Sequence, residues 1–402
     1  MTIATVFDVY PSLTETFLAR ELQALRGEGL RVLCCALRRP DLFAGPVPEN
    51  TLDARYAFSG ACESGTPRRN DARPTSALRV SRALGSVFAL AARSVPGGLR
   101  LLRRLPYALS LSRNIRHEGV THVHAHFATM PCEAGLLMAD LLGCPFSFSV
   151  HARDIYVRPG RALPWKASRA AFVVACTSHA RQRLLQLAPD LEAKRVFTMY
   201  HGVDPDRYPE SRPEGTMILA VGRLVPKKGF HVLIDACRLL KEQGRELRLV
   251  IVGAGPERDR LRARVARAGL QDVIEWRGAL LPDQVAALLH RARVLAAPSV
   301  EAPDGDRDGI ANVLLEAMAC GVPVVTTTGS AACEAVDDGV QGFLIPPGDS
   351  AELARCMERV LQDPVLARRL GQAGRQRVAE RFDIHKNIQM LVRLFDGNAK
   401  ET

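Results

Sequence analysis

Short apolar runs alternate with amphipathic stretches along almost the whole of this chain. In the first half, runs rich in β-branched and aromatic residues fall at 3–9, 31–36, 122–127, 146–150, 172–176 and 196–200. Stretches with apolar residues three and four apart lie between them, for instance at 15–26, 132–142 and 178–187. A strand that is apolar on both faces must be covered on both faces, so the alternation predicts a parallel sheet flanked by helices. At 201–215, HGVDPDRYPESRPEG, three prolines and two glycines replace the pattern, which is the signature of a linker. The alternation then restarts, with strands expected at 217–221, 247–252, 273–276, 294–297, 322–326 and 342–345. Helices are expected at 230–243, 257–268, 282–290, 312–319, 350–362, 364–381 and 384–395.

The expected fold is α/β, with two doubly wound, Rossmann-like domains facing across a cleft. They divide as an N-terminal domain at 1–205, a C-terminal domain at 206–382 and a tail at 383–402 whose helix crosses back to the first domain. The length of 402 residues suits two domains of ~150–200 residues each. Ligands of such sheets bind outside the carboxyl ends of the strands, so the loops that directly follow strands carry the candidate chemistry.

Two of these loops in the second half combine charge with a helix start. In VGRLVPKKGF, residues 221–230, Arg223 and Lys228 lie between a strand and a helix, where two cations suit a diphosphate; a plain basic surface turn would look similar. In PSVEAPDGDRDGIANVLLEAMACGVPVV, residues 298–325, a polar loop leads into a helix opening near Asn312. The amides of Gly309, Ile310, Ala311 and Asn312 would be free donors at that helix end, and the helix dipole adds to their attraction for phosphate. Asp308 just before the helix and Glu316 one turn inside it would accept hydroxyl hydrogen bonds on either side. The order polyol, diphosphate, polyol is that of a nucleotide diphosphate sugar.

Gly222-Arg223 with Lys228-Gly229, an acidic residue eight before Glu316 in Glu316-Ala317-Met318-Ala319, and Gly321-Val322-Pro323-Val324-Val325 together resemble the retaining GT-B glycosyltransferases of family 4. His201-Gly202-Val203-Asp204 and Gly342-Phe343-Leu344-Ile345-Pro346 also match. Tyr10 to Phe17 and Ser149 to Tyr156 resemble a branch that builds bacterial exopolysaccharides such as colanic acid. The resemblance spans nearly the whole chain. It implies that Arg223 and Lys228 bind the donor phosphates and that Glu316 binds the ribose. It also implies transfer of a hexose from a GDP- or UDP-linked donor to a lipid-linked or saccharide acceptor, with retention and without a metal or other cofactor. Asp308 stands where the family has Glu, a carboxylate retracted by one methylene.

In the first half, His151 follows the run 146–150 at its carboxyl end, and the resemblance sets a His there close to the donor sugar, as a catalytic candidate beside Asp308. A loop His bonded to backbone is the bland alternative. Asp154 would orient this loop or meet the acceptor. His122, His124 and His126 alternate and so share one face of a strand. Such spacing can bind zinc, but no acidic or Cys partner is placed by sequence, and no metal is expected. His126, nearest the strand end, is an acceptor-pocket candidate. Thr14 and Glu15 precede the first helix, where capping or acceptor contact would each explain them.

Composition changes this picture in one place. Net charge is +11, and 72–117 holds no Asp or Glu but contains Arg73, Arg79, Arg82, Arg93, Arg100, Arg103, Arg104, Arg113 and Arg116 among leucines, Val87, Phe88 and Tyr107. An anionic membrane surface is the candidate partner of this 73–116 segment, and a solvated helix face the alternative. No nucleic-acid motif accompanies the charge. The start reads as a strand rather than a secretory signal, and no apolar run approaches the ~18–20 residues of a membrane span. A cytoplasmic enzyme, or one peripheral at the inner face of the cytoplasmic membrane, is the expectation. The ten cysteines form no CxxC pair, which speaks against a disulfide scaffold or zinc ribbon. Asp304, Asp306, Asp308 and Gly309 imitate an EF-hand start, but Leu315 stands where the loop needs Glu. Gly253-Ala254-Gly255 begins a dinucleotide fingerprint that Arg258 interrupts. The rival classes are a nicotinamide-dependent oxidoreductase, a nucleotide-sugar epimerase of the same fold, and a non-catalytic membrane- or polyanion-binding relic.

Overall fold

The structure, a computed structural model, describes residues 1–12, 15–40, 54–57, 76–157, 159–213 and 215–397. The chain divides into two compact units. One comprises Met1–Cys176, Ala180–Met199 and Gln389–Thr402, and the other Thr177–His179 and Tyr200–Ile388.

The first unit holds seven parallel strands: β1 (Thr2–Val9), β2 (Arg31–Arg38), β3 (Ala54–Tyr56), β4 (His122–His126), β5 (Phe146–Val150), β6 (Phe172–Ala175) and β7 (Val196–Thr198). Their order is β3-β2-β1-β4-β5-β6-β7. The second unit holds β8 (Met217–Val221), β9 (Arg248–Val252), β10 (Ile274–Gly278), β11 (Val294–Ala297), β12 (Val324–Thr327) and β13 (Gly342–Ile345). Their order is β10-β9-β8-β11-β12-β13, again all parallel. Both are Rossmann-like sheets of the α/β class. In each, the direction of winding reverses once, between β1 and β4 and between β8 and β11. Right-handed crossovers then lead helices away to opposite faces, and a crevice opens at the carboxyl ends of those two strands.

Burial explains why the strands read as continuous apolar runs. Ile218, Leu219, Leu249, Val250, Ile251, Val294 and Leu295 are fully enclosed, with helices on both sides of the sheet. Strand β4 is the exception, for it is buried throughout yet reads His-Val-His-Ala-His. Its register with β5 sets His124 beside Ser147 and His126 beside Ser149. The Ser147 hydroxyl lies 2.7 Å from His122 Nε2 and 2.7 Å from His124 Nδ1, and the Ser149 hydroxyl 2.9 Å from His124 Nε2. His122 and His124 are therefore satisfied by the neighbouring strand, as burial demands. The alternation does put the histidines on one face: the rings of His122 and His124 both meet Phe395.

The structure adds elements that periodicity did not show. The three-residue β3 sits at the sheet edge, and short helices at Ala152–Tyr156 and Leu163–Arg169 follow β5. The arginine-rich segment is three helices, Ala77–Ala91, Val95–Leu102 and Leu105–Ile115. Pro96 and Pro106 each stand in a first turn, where a missing N–H costs nothing. Ser94 caps the second of these helices through the Gly97 amide at 3.2 Å. No disulfide joins the nine described cysteines. Among the described residues, no helix is long and apolar enough to cross a membrane.

Candidate functional site

The reversal point of the second sheet brings two loops together, the one after β8 and the one after β11. They are the two loops singled out by charge. Gly229 has φ +65°, and a Cβ there would stand 1.8 Å from the Pro298 carbonyl oxygen, so only glycine allows the loops to touch. Next to it, the Val300 amide donates to the Lys227 carbonyl at 2.8 Å.

Four side-chain charges lock this junction. Lys228 Nζ lies 2.8 Å from Asp308 Oδ2. Lys227 Nζ lies 2.9 Å from Asp306 Oδ1 and 3.5 Å from Asp308 Oδ1, and donates to the Arg307 carbonyl at 3.3 Å. The Ser299 hydroxyl donates to Asp308 Oδ2 at 2.8 Å. Asp308 is only 9% exposed. Burial works to raise its pKa, but the ammonium groups of Lys228 and Lys227 and the Ser299 hydroxyl outweigh it and hold the carboxyl below its ordinary value. The stem of Lys228 runs over Gly222, where a Cβ would meet its Cδ and Cε at 3.3 Å. Arg223 is exposed and makes no ion pair among the described residues.

Beyond Asp308 the helix Asn312–Ala319 begins. Its N-cap is Ala311, in an extended conformation, and no side chain caps it. An alanine methyl offers no oxygen to the first-turn amides, which leaves donors directed at the crevice. Gly309, Ile310, Ala311, Asn312 and Glu316 are all half-buried, Glu316 one turn into the helix. A cation, an ion-paired carboxylate and an uncapped helix start thus share one crevice, an arrangement able to bind a polyanion and hydroxyls side by side. The charge reading had given Asp308 and Lys228 separate tasks, whereas the structure joins them. Lys227 was missed altogether. Its signal was the surplus of carboxylates, Asp304, Asp306 and Asp308, in a loop with too few nearby cations to balance them.

In the first unit, the ends of β4 and β5 form a second cluster. His151 directly follows β5, is buried, and has its pKa pushed down to about 3 by that burial. Asp154 faces inward: its Oδ2 accepts the His151 amide at 2.9 Å, and the Ala128 amide bonds to the same carboxylate. Burial raises the Asp154 pKa to about 6 against those bonds and the Lys166 charge. The buried Lys166 ammonium donates to the Ala128 carbonyl and lies 3.6 Å from Glu133. Asp154 and Lys166 therefore tie the two loops together, which assigns Asp154 an orienting position.

His126 is fully buried, stacks on Phe7 at 5.1 Å, and has Nε2 3.3 Å from Glu21 Oε1. Burial raises the Glu21 pKa to about 8, so the acid is largely protonated at neutral pH. Sequence reading found no acidic neighbour for the histidines, yet Glu21 carried a signal. It follows Leu18 by three on the stripe Leu18, Leu22, Leu25 and so had to face inward. Phe127, at the end of β4, has φ +72° and its ring 4.2 Å from that of His151. It is the one non-glycine residue with positive φ among those described. Such a conformation costs roughly 1 kcal/mol or more and needs surrounding packing to hold it. Glu15 stands at the N-cap of the helix Thr16–Gly27 without a side-chain cap bond, and Thr14 lies outside the described residues.

Comparison with known proteins finds glycosyltransferases. Residues 14–207 match the family described as Glycosyltransferase Family 4, and residues 179–377 match Glycosyl transferases group 1. WcaL of Escherichia coli (strain K12), provisionally assigned as a colanic acid biosynthesis glycosyltransferase, is 44% identical over 166 residues, 40% of this chain and 41% of WcaL. The amylovoran biosynthesis glycosyltransferase AmsK of Erwinia amylovora is 31% identical over 214 residues, 52% of this chain and 53% of AmsK. The chain thus spans about half or less of the length of these relatives. Among solved structures, Anabaena HepE in complex with UDP superposes with a TM-score of 0.73 at 19% identity, over 99% of this chain and 100% of HepE. That likeness shows the GT-B fold.

Replacing Lys227 with Met should cost about 3 kcal/mol, the lower end for breaking a buried pair, because Lys228 still faces Asp308. Urea unfolding followed by Trp276 fluorescence in a Trp165→Phe background measures it, and a loss under about 1 kcal/mol would mean that the loop does not depend on this charge. A second expectation concerns acid. His122 has its pKa lowered to about 4 by burial, His124 well below its ordinary value, and His151 to about 3. Each favours folding fully above pH ~6.5 and loses that contribution as pH falls toward its folded pKa. Glu21 and Asp154, with raised folded values, act in the opposite sense, but three imidazoles outweigh two carboxyls. The melting temperature read by Trp165 fluorescence in a Trp276→Phe background should fall between pH ~6.5 and ~4, and Glu21→Gln should steepen the fall. A flat profile would contradict the buried, neutral histidines.

Proposed function

With a family 4 glycosyltransferase domain joined to a group 1 glycosyltransferase domain in one chain, we propose that this protein transfers a hexose from a nucleotide diphosphate sugar to a lipid-linked or saccharide acceptor during bacterial exopolysaccharide assembly. The observation that carries the proposal is Lys228 reaching Asp308 at the uncapped start of the helix Asn312–Ala319, at the reversal point of the second sheet. The assignments of WcaL and AmsK to colanic acid and amylovoran synthesis support the exopolysaccharide setting. HepE has been solved with UDP and with UDP-glucose, which supports a UDP-linked donor here, with GDP as the other candidate.

In this proposal the amides of Gly309, Ile310, Ala311 and Asn312 receive the diphosphate. Arg223, exposed and without an acidic partner, and Lys228 neutralise it. Glu316 accepts ribose hydroxyls, and Asp308 turns its carboxylate to the sugar as Lys228 is drawn to phosphate. The bond from the anomeric carbon to the diphosphate oxygen breaks, and its electron pair leaves with the diphosphate. The acceptor oxygen bonds to the same face of the carbon and its proton passes to the departing phosphate, so configuration is retained. Stabilising the leaving charge is the main catalytic contribution. His151, neutral at physiological pH, contributes a hydrogen bond and no charge. Lys227 already sits between Asp306 and Asp308, so a lysine occupies the place that a metal would take in an Asp-x-Asp site. That position supports a metal-independent reading. A lipid-linked acceptor puts the reaction at a membrane face.

A thermal-shift panel of UDP, GDP, ADP, NAD and the corresponding sugars tests class and base together. One uridine or guanosine diphosphate should raise the melting temperature, while NAD should not. Lys228→Ala should lower turnover by roughly 100- to 1,000-fold with the fold intact. Nearly unchanged turnover removes the assigned role, and stabilisation by NAD alone would favour an oxidoreductase. Proton NMR of the product linkage decides retention.

A further inference from the structure

Exposed large apolar side chains are not scattered over this protein. Of the eight among the described residues, five fall between positions 78 and 102: Leu78, Phe88, Val95, Leu99 and Leu102. The short helix Val95–Leu102 concentrates them. It turns Gly97, Gly98 and Leu101 inward, and a Cβ on Gly98 would stand 2.5 Å from that of Ala91, so it packs tightly on the helix Ala77–Ala91. Its outward positions follow the spacing i, i+4, i+7 and carry Val95, Leu99 and Leu102, exposed by 65%, 53% and 43%. A surface helix of a globular protein puts polar residues there; a row of exposed apolar side chains along one helix face points to a non-aqueous neighbour on that side. Phe88, 69% exposed, adds an aromatic ring to the same hairpin.

Charge says what that neighbour is. Arg93, Arg100, Arg103 and Arg113 are exposed and make no ion pair among the described residues, and 72–117 contains no carboxylate at all. Arg104 differs, being paired with Glu133 at 3.3 Å. A groove of about 650 Å³, lined by Leu102, Leu105, Pro106, Leu109 and Arg113, continues the apolar face. Exposed aliphatic groups ringed by unpaired guanidinium groups complement a layer whose surface is phosphate and whose interior is hydrocarbon. A soluble polyanion would satisfy the arginines but leave Val95, Leu99 and Leu102 in water. A second copy of the chain would set arginine against arginine.

We propose that the helical hairpin 77–102 is a membrane-docking surface, with Phe88, Val95, Leu99 and Leu102 entering the acyl region of an anionic bilayer and Arg93, Arg100, Arg103 and Arg113 holding lipid phosphates. This deepens the acceptor side of the reading above, and it is carried by the exposed face alone.

The test uses the full chain, without donor or acceptor, in co-sedimentation with vesicles of phosphatidylcholine and with vesicles containing phosphatidylglycerol. Binding is expected to the anionic vesicles, weakening as salt rises. The triple variant R93Q/R100Q/R103Q should bind them roughly 100-fold more weakly. The variant L99S/L102S, changed only at exposed positions, should lose roughly tenfold or more. Absence of binding at low salt, or binding that both variants leave intact, overturns the proposal. So does equally tight binding to heparin that L99S/L102S does not affect, which indicates a polyanion surface. A dimer in light scattering that L99S/L102S dissolves assigns the face to a second copy instead. Nucleotide binding by thermal shift should be the same in both variants, so this proposal and the donor-site reading fail separately.

Discussion

Burying the carboxylate of Asp308 is the constraint on which the second unit's loops are built. An ionised group in that position is costly unless it is met by opposite charge and hydrogen bonds. Lys228, Lys227 and Ser299 meet it, and to do so the loop after β8 must lie against the loop after β11. Gly229 permits that approach and the Val300 amide seals it. The ammonium of Lys228 and the amino end of the helix Asn312–Ala319 are then held in one crevice before any ligand arrives. Charge held in place in this way is what a site needs to draw in and stabilise an anion.

The first unit handles polarity in the opposite way. Burial keeps His122, His124 and Glu21 uncharged, and serine hydroxyls from the neighbouring strand bond the two histidines. Glu21, His124 and His126 bring ligand-type atoms within 4.8 Å of one another. Both ring nitrogens of His124 are engaged by Ser147 and Ser149. The polar chain leads to the end of β4, where Phe127 holds its unusual backbone beside His151.

The fold was legible because parallel strands covered on both faces leave a plain mark, a short run rich in apolar residues, and most of the thirteen strands carry it, with the histidine-bearing β4 set apart by its polar face. Strand β3 is three residues at an edge, too short for any period to show. The loops of the candidate site were legible for a related reason. Arg223, Lys228, Asp308 and the helix opening at Asn312 all follow strands directly, and a strand end is identifiable from local sequence. The arginine-rich stretch was legible as charge and helix with an apolar side, but not its division into three helices or which of its apolar residues stay exposed.

Sequence by itself determined the two doubly wound sheets, the candidate loops at the strand ends and the excess of positive charge, because each rests on periodicity or composition within a few neighbouring residues. Tertiary structure alone decided which charges meet. Lys227 and Asp306 are 79 positions apart, and Glu21 and His126 are 105 apart. Their pairing depends on strand order, which no local pattern encodes. It likewise decided that Leu99 and Leu102 face outward. With apolar residues on more than one side of that helix, the elements packed beside it choose which of them are covered.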